Sequence, residues 1–199
     1  VEVQTAPQGL VVQMQVTAQA EQRVRQRRRT LAGRTGCGLC GVESLDALAT
    51  LDVPTVAALD LDPALLTRGM QALQQAQVLN ARCGGLHGAA CLDAQGHLLL
   101  AREDVGRHNA LDKLVGALLR SGDAAGDGFV VITSRASYEM VGKTARAGVA
   151  LLAAVSGVTG LAIDTAEAAG LALAGFARGD DLTLYAHPER LLWSGDDGR

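Results

Sequence analysis

Short apolar runs alternate with segments of helical periodicity through the second half of the chain. Four apolar runs predict strands at 129–133, 149–155, 171–176 and 182–186. Between them, the residue pattern predicts helices over about 138–147 and 159–169. This order of strands and helices predicts a sheet with helices packed on its faces and with parallel crossovers inside it.

The first half of the chain opens with an alternating pattern. Apolar and polar residues alternate over 10–16, which predicts a half-buried strand. Further on, Asp62-Pro63 is typical of a helix start, because an acidic cap followed by proline suits the first turn. The apolar face that follows predicts a helix ending near residue 79.

A hairpin and a further helix are predicted next. Strands at 86–92 and 97–102 are separated by the turn residues 93–96, a spacing that favours a hairpin. Glu103 and Asp104 then precede a helix whose apolar residues share one face, and the two acids suit its positive end. That helix is predicted to stop around Ser121-Gly122.

Composition narrows the class of protein. The chain has 199 residues, 48% of them hydrophobic, which is enough for a sizeable core. A net charge of −3 argues against a nucleic-acid partner, and the longest apolar run, 149–155, is too short to span a membrane. Four cysteines without a signal-peptide pattern indicate a cytoplasmic protein rather than a disulfide framework.

We expect an N-terminal segment over 1–61, a core domain over 62–193 and a flexible tail over 194–199.

A Cys-x-x-Cys lies among glycines at Gly36-Cys37-Gly38-Leu39-Cys40-Gly41, directly after an arginine-rich run. Neighbouring cations favour the thiolate, which is the nucleophilic form of cysteine. Three interpretations are open: a dithiol redox pair, a structural zinc site completed from Cys83, His87 and Cys91, and a sulfur-carrying thiol in a mobile loop. The cysteines alone do not select one of them.

Three clusters of polar residues lie where predicted strands end. The first runs from Arg102 to Lys113, where Asp104 and Asp112 are placed to hold the His108 imidazole; the alternative is a salt-bridged helix start. The second, 133–139, contains Arg135 and Ser137 where a strand passes into a helix, which suits a phosphate, although an ordinary serine cap would look the same. The third, 175–181, reads alone as a hairpin turn.

Taken in order, these segments resemble the FdhD family of formate dehydrogenase accessory sulfurtransferases. The matching stretches are Thr35 to Gly41, Gly84 to His87, Arg102 to Lys113, Arg135 to Ser137, Ala153 to Ser156 and Gly175 to Gly179. The resemblance implies a cytidine-deaminase-like, three-layer α/β/α sandwich with a mixed sheet, and a homodimer. It also implies that sulfur passes from a cysteine desulfurase to the molybdenum or tungsten bis(molybdopterin guanine dinucleotide) cofactor of formate dehydrogenase.

The resemblance also assigns residues. It makes Cys37 the persulfide carrier, with Cys40 as its partner. It places the client cofactor on Phe176, Ala177, Arg178, Gly179, Asp180 and Asp181. We expect Arg135, Ser137 and His108 to contribute to that site, with GDP as a mimic of the cofactor, a carboxylate such as Asp180 or Asp181 pairing with the guanine, and no bound metal. The alternative function is a zinc-stabilised guanine-nucleotide-binding chaperone without covalent sulfur chemistry.

Overall fold

The protein divides into two compact units, Val1–Thr50 and Leu51–Arg199. The structure, a computed structural model, describes residues 1–7, 9–26, 53–121, 128–179 and 181–192. The predicted boundary after residue 61 differs from this division, because Leu61 is buried in the second unit and pairs with Leu191. Among the helices of the described ranges, none combines the length and apolar character needed to cross a bilayer.

The first unit contains an antiparallel pair of strands, β1 (Glu2–Ala6) and β2 (Gly9–Gln13), followed by the helix α1 (Ala18–Gln26). The strand predicted at 10–16 is therefore present but shorter. Its predicted half-burial is wrong, since every residue of β2 is exposed. Alternation in a sequence marks two faces of a strand, but burial of one face requires a packing layer that a local pattern cannot supply.

A mixed six-stranded sheet forms the centre of the second unit. Its strands are β3 (His87–Leu92), β4 (Leu98–Asp104), β5 (Phe129–Ile132), β6 (Leu151–Ala154), β7 (Ala172–Arg178) and β8 (Asp181–Ala186). Their spatial order is β4-β3-β5-β6-β7-β8. The pairs β5–β6 and β6–β7 are parallel, while β4–β3, β3–β5 and β7–β8 are antiparallel. The predicted hairpin and the predicted parallel crossovers are both confirmed.

The described part of the second unit contains five α-helices and a short 3-10 helix, Pro188–Arg190. The α-helices are α2 (Ala64–Ala76), the short α3 (Asn80–Cys83), α4 (Arg107–Ser121), α5 (Tyr138–Arg146) and α6 (Gly160–Ala169). The Asp62 carboxylate accepts a hydrogen bond from the Ala64 N–H at 2.9 Å, as expected for an acidic residue at a helix start. The helix predicted to end near residue 79 ends at Ala76, and the short α3 that begins at Asn80 was not predicted.

Two apolar cores lie on opposite faces of the sheet. Successive strand residues point to alternate faces, so Val130 and Ile132 join a core with helices α4, α5 and α6, while Phe129 and Val131 join a core with α2. Gly69 lets α2 approach the sheet closely, because a Cβ there would lie 2.9 Å from the Phe129 ring. The three-layer arrangement and the mixed sheet are as predicted. The cytidine-deaminase-like part of the fold prediction stays a prediction.

Candidate functional site

The polar clusters of the second unit lie together along one edge of the sheet, at the ends of its strands. Because of the strand directions, β4, β5, β6 and β7 all end at this edge, and β3 and β8 begin there. The three clusters predicted from sequence follow β4, β5 and β7. In open α/β sheets, ligands bind outside the carboxyl ends of the strands. The topology therefore brings together segments that are far apart in the chain.

Hydrogen bonds from backbone N–H groups join the loops at this edge. The Thr133 hydroxyl accepts from the Gly88 N–H at 2.8 Å, which links the end of β5 to the start of β3. The loops after β5 and β6 run side by side, since the Ala136 N–H donates to the Gly157 carbonyl and the Thr159 N–H donates to the Ala136 carbonyl. The edge is thus a connected framework and not a set of separate turns.

A cleft of about 360 Å³ opens between α2 and the ends of the strands. Its described lining residues are Thr67, Met70, Gln71, Gln74, Gln77, Asn80, Thr133, Val155, Ala177, Arg178 and Gly179. The volume lies at the lower end of the range of about 300–1,000 Å³ that is usual for small-molecule sites. The predicted contacts Ala177, Arg178 and Gly179 do line this cleft.

The glutamines of the cleft were missed from the sequence. Gln71 and Gln74 are three residues apart on α2, so they lie on one flank of the helix beside its buried apolar face. Gln77 is only 5% exposed, and its Nε2 lies 3.5 Å from the Leu86 carbonyl oxygen. Four glutamines between positions 71 and 77 were a visible signal, but polar residues beside an apolar stripe usually face only solvent.

The segment predicted as a turn at 175–181 is largely strand. Strand β7 continues to Arg178, and its register with β8 shifts between Gly175 and Arg178. Phe176 adopts a left-handed φ of 51°, an unfavourable conformation for an aromatic residue. Its N–H donates to the Ser156 carbonyl at 3.1 Å, and a Cβ at Gly157 would lie 3.2 Å from its ring. The Phe176 ring therefore packs over the neighbouring loop and is not among the described residues that line the cleft.

Arg178 is fixed at its Nε. That nitrogen donates to the Val155 carbonyl at 2.8 Å, while the residue as a whole is exposed. This bond ties the end of β7 to the end of β6. Asp181, at the start of β8, is exposed and is not among the cleft's described lining residues.

Much of the run from Arg102 to Lys113 has a structural role. The Asp104 carboxylate accepts from the Gly106 N–H at 2.9 Å and pairs with Lys113 Nζ at 2.5 Å. The Lys113 hydrogen bond is the main reason that the pKa of Asp104 falls to about 2, and the Gly106 N–H adds to it. The Glu103 carboxylate accepts from the N–H groups of Leu79 and Asn80, each at 2.8 Å, so it caps α3.

His108 contacts a different carboxylate from the two predicted. Its Nε2 lies 2.9 Å from Oε2 of Glu139, which belongs to the first turn of α5, although the alignment is not that of a hydrogen bond. Asp104 is engaged by Lys113, and Asp112 pairs with Lys143 at 2.7 Å. The predicted pairing within one helix is therefore wrong, because lysines satisfy both acids and the packing of α4 on α5 supplies another.

Arg135 and Ser137 differ in their access to solvent. Arg135 is exposed, whereas Ser137 is only 2% exposed and its Oγ has no hydrogen-bond partner among the described residues. Ser137 precedes α5 in an extended conformation, but it makes no side-chain cap. Neither residue is among the described residues that line the cleft.

Cys83, His87 and Cys91, the residues considered from sequence for a zinc site, lie in different surroundings. Cys91 lies fully buried in the core beneath α4, and desolvation, aided by Asp93, raises the pKa of its thiol to about 11. Cys83 is exposed at the end of α3. The pKa of His87 is lowered by burial and by Arg107, whose positive charge also opposes a bound cation. Within the described residues, no group of three or more metal-binding side chains occurs.

Three predicted site residues, Cys37, Cys40 and Asp180, lie outside the described residues. Their assignments stay predictions.

Comparison with known proteins identifies relatives along nearly the whole chain. A family model described as the FdhD/NarQ family matches residues 1–192. A sulfur carrier protein FdhD from Variovorax paradoxus is 54% identical over 191 residues, covering 96% of this chain and 69% of that protein. A protein of the same name from Bordetella bronchiseptica is 51% identical over 192 residues, with the same coverage.

A solved structure shares the fold. It is described as a formate dehydrogenase accessory protein from Desulfotalea psychrophila, and it is 27% identical in sequence with a TM-score of 0.66. The match covers 71% of this chain and 61% of that one. The resemblance seen in the motifs is thus confirmed by whole-chain similarity.

Proposed function

We propose that this chain, which belongs to the FdhD/NarQ family, is a sulfur carrier that serves formate dehydrogenase. The observation that carries the proposal is sequence identity: about half of the aligned residues are identical to those of proteins named sulfur carrier protein FdhD. The accessory-protein description of the structural relative supports the link to formate dehydrogenase. The homodimer and the cytoplasmic location implied by the resemblance stay predictions.

In the proposed reaction, Cys37 carries the sulfur. Its thiolate attacks the outer sulfur of a persulfide on a cysteine desulfurase, the donor's sulfur–sulfur bond breaks, and the donor thiolate leaves. The exchange needs no outside oxidant or reductant, since one sulfur–sulfur bond replaces another. Cys40 is the proposed partner thiol, and the arginines that precede the motif favour the reactive thiolate.

The substrate that receives the sulfur is the molybdenum or tungsten bis(molybdopterin guanine dinucleotide) cofactor. The cleft at the sheet edge fits one end of so large a molecule, because its 360 Å³ suits a single nucleotide. Arg178 is a suitable phosphate contact there, since a guanidinium binds phosphate oxygens in a forked geometry. We expect GDP to bind more tightly than ADP, and equal affinity in calorimetry would count against guanine recognition.

Mass spectrometry after incubation with a cysteine desulfurase and cysteine tests the carrier role. The wild-type protein should gain a sulfur on Cys37, and Cys37→Ala should gain none at any position. Cys83→Ala is the matched control, because Cys83 is an exposed thiol outside the proposed machinery. Loading of Cys37→Ala to the wild-type level would show that the assignment is wrong.

Metal analysis separates this proposal from the zinc-stabilised chaperone. Stoichiometric zinc bound by Cys37 and Cys40 would remove the thiols that sulfur transfer requires. A metal-free protein that loads sulfur would exclude that alternative.

A further inference from the structure

The wall of the cleft formed by α2 and the turn after it is rich in carboxamides. Gln71 and Gln74 are both exposed and both line the cleft, and Gln77 and Asn80 continue the same wall. Each carboxamide offers N–H donors and a carbonyl acceptor. Such a wall can pair with a planar ring whose edge carries neighbouring donors and acceptors, and it does so without adding charge.

The described residues of the facing wall supply an apolar surface and a cation. Val155 and Ala177 offer apolar atoms, and Thr133 adds a hydroxyl beside them. Arg178 is held through its Nε by the Val155 carbonyl, and its terminal nitrogens make no other hydrogen bond with the described residues. A guanidinium oriented in this way is prepared to bind an anion, since little of its rotational freedom remains to be lost.

We infer that Gln71 and Gln74 recognise the edge of a bicyclic lactam ring whose attached phosphate lies on Arg178. This inference rests on the proposed function, and it names the residues that read the base. It replaces recognition by the carboxylate of Asp181, because Asp181 is exposed and is not among the cleft's described lining residues.

Gln77 has a positioning role in this arrangement. It is 5% exposed, and a Cβ at Gly88 would come within 2.9 Å of its amide. The side chain is therefore packed against the start of β3 at the base of the cleft. Because truncating it would disturb the packing, it is left intact in the test.

The test measures GDP and pyrophosphate binding by calorimetry on four full-length variants. The double variant Gln71→Ala/Gln74→Ala should weaken GDP binding at least about tenfold, the effect of losing one or two net hydrogen bonds, and leave pyrophosphate binding unchanged. Arg178→Ala should weaken both ligands. The matched control Gln75→Ala alters an exposed glutamine of the same helix that is absent from the described lining, and it should bind like the wild type.

Asp181→Asn completes the comparison. We expect it to keep wild-type GDP affinity, whereas recognition by that carboxylate predicts a large loss. The inference is overturned if the double glutamine variant binds GDP normally, if it loses GDP and pyrophosphate equally, if Asp181→Asn alone abolishes binding, or if the wild type binds no GDP.

Measuring sulfur loading of the same variants distinguishes failure of this inference from failure of the proposed sulfur-carrier function. Normal loading of Cys37 with unchanged GDP binding in the glutamine variant refutes only the assignment of the glutamines. Absence of loading in every variant and in the wild type refutes the carrier role. Melting temperatures within a few degrees of the wild type ensure that a lost affinity is not a folding defect.

Discussion

The ion pair between Asp104 and Lys113 should stabilise the protein in a way that depends on pH. Asp104→Asn keeps the shape of the side chain and its hydrogen bond from the Gly106 N–H while removing the charge. The carboxylate's pKa falls from 3.8 to about 2 in the folded protein, mainly through the Lys113 hydrogen bond. At about 1.36 kcal/mol per pKa unit, this corresponds to about 2 kcal/mol. Solvent near the surface screens the pair, so we expect about 1 kcal/mol.

The sign of the pH dependence follows from the lowered pKa. The unfolded chain binds a proton near pH 4 and the folded chain only near pH 2, so the stabilisation is complete above about pH 4 and is lost as the pH falls toward 2. Urea unfolding should therefore show Asp104→Asn less stable than the wild type by about 1 kcal/mol at pH 7, with the difference shrinking below pH 4. At neutral pH the melting temperature should fall by about 2–4 °C.

Asp112→Asn is the matched control for this experiment. Asp112 lies on α4, is 55% exposed and pairs with Lys143, so its removal should cost less than about 0.5 kcal/mol. Two results would refute the reasoning. One is a loss in Asp104→Asn that stays constant from pH 7 to pH 2.5, and the other is an equal loss in both variants.

Three further variants and one labelling experiment test other parts of the structure. The variant His108→Ala should melt within a few degrees of the wild type yet fail to activate formate dehydrogenase. A sharp drop in melting temperature together with a loss of activation would refute a functional role for His108. A thiol reagent at pH 8 should label exposed Cys83 in the folded protein and leave Cys91 unmodified, since Cys91 is buried and its pKa is about 11. Gly69→Ala should cost about 1–3 kcal/mol in unfolding experiments, because the new methyl group would lie 2.9 Å from an aromatic ring of the sheet. Gly116→Ala, at an exposed helical position with open space around it, should instead stabilise by about 0.5–1 kcal/mol, and equal effects of the two would contradict the packing argument.

The order and type of most elements in the second unit could be predicted from the residue pattern. Apolar runs such as 129–133 and the periodic face of 107–121 reflect strand and helix geometry directly, so their positions could be predicted within a few residues. The motifs also pointed to the correct family, because several rare local patterns occur in the same order along the chain. The short helix α3 was not predicted, since its start is capped by Glu103, which lies in strand β4 more than twenty residues further along the chain.

Which side chains meet depends on the packing of the elements and could not be predicted. His108 lies next to Glu139 instead of its helical neighbours, and Gln71 shares a cleft with Arg178. Neither pair could be read from spacing, because strand order and helix packing bring together residues that no local period connects. The exposure of β2 was not predicted for the same reason, since burial of a strand depends on whether another element packs on it. Local patterns record the geometry of one element, whereas contacts between elements depend on the free energy of packing the whole chain.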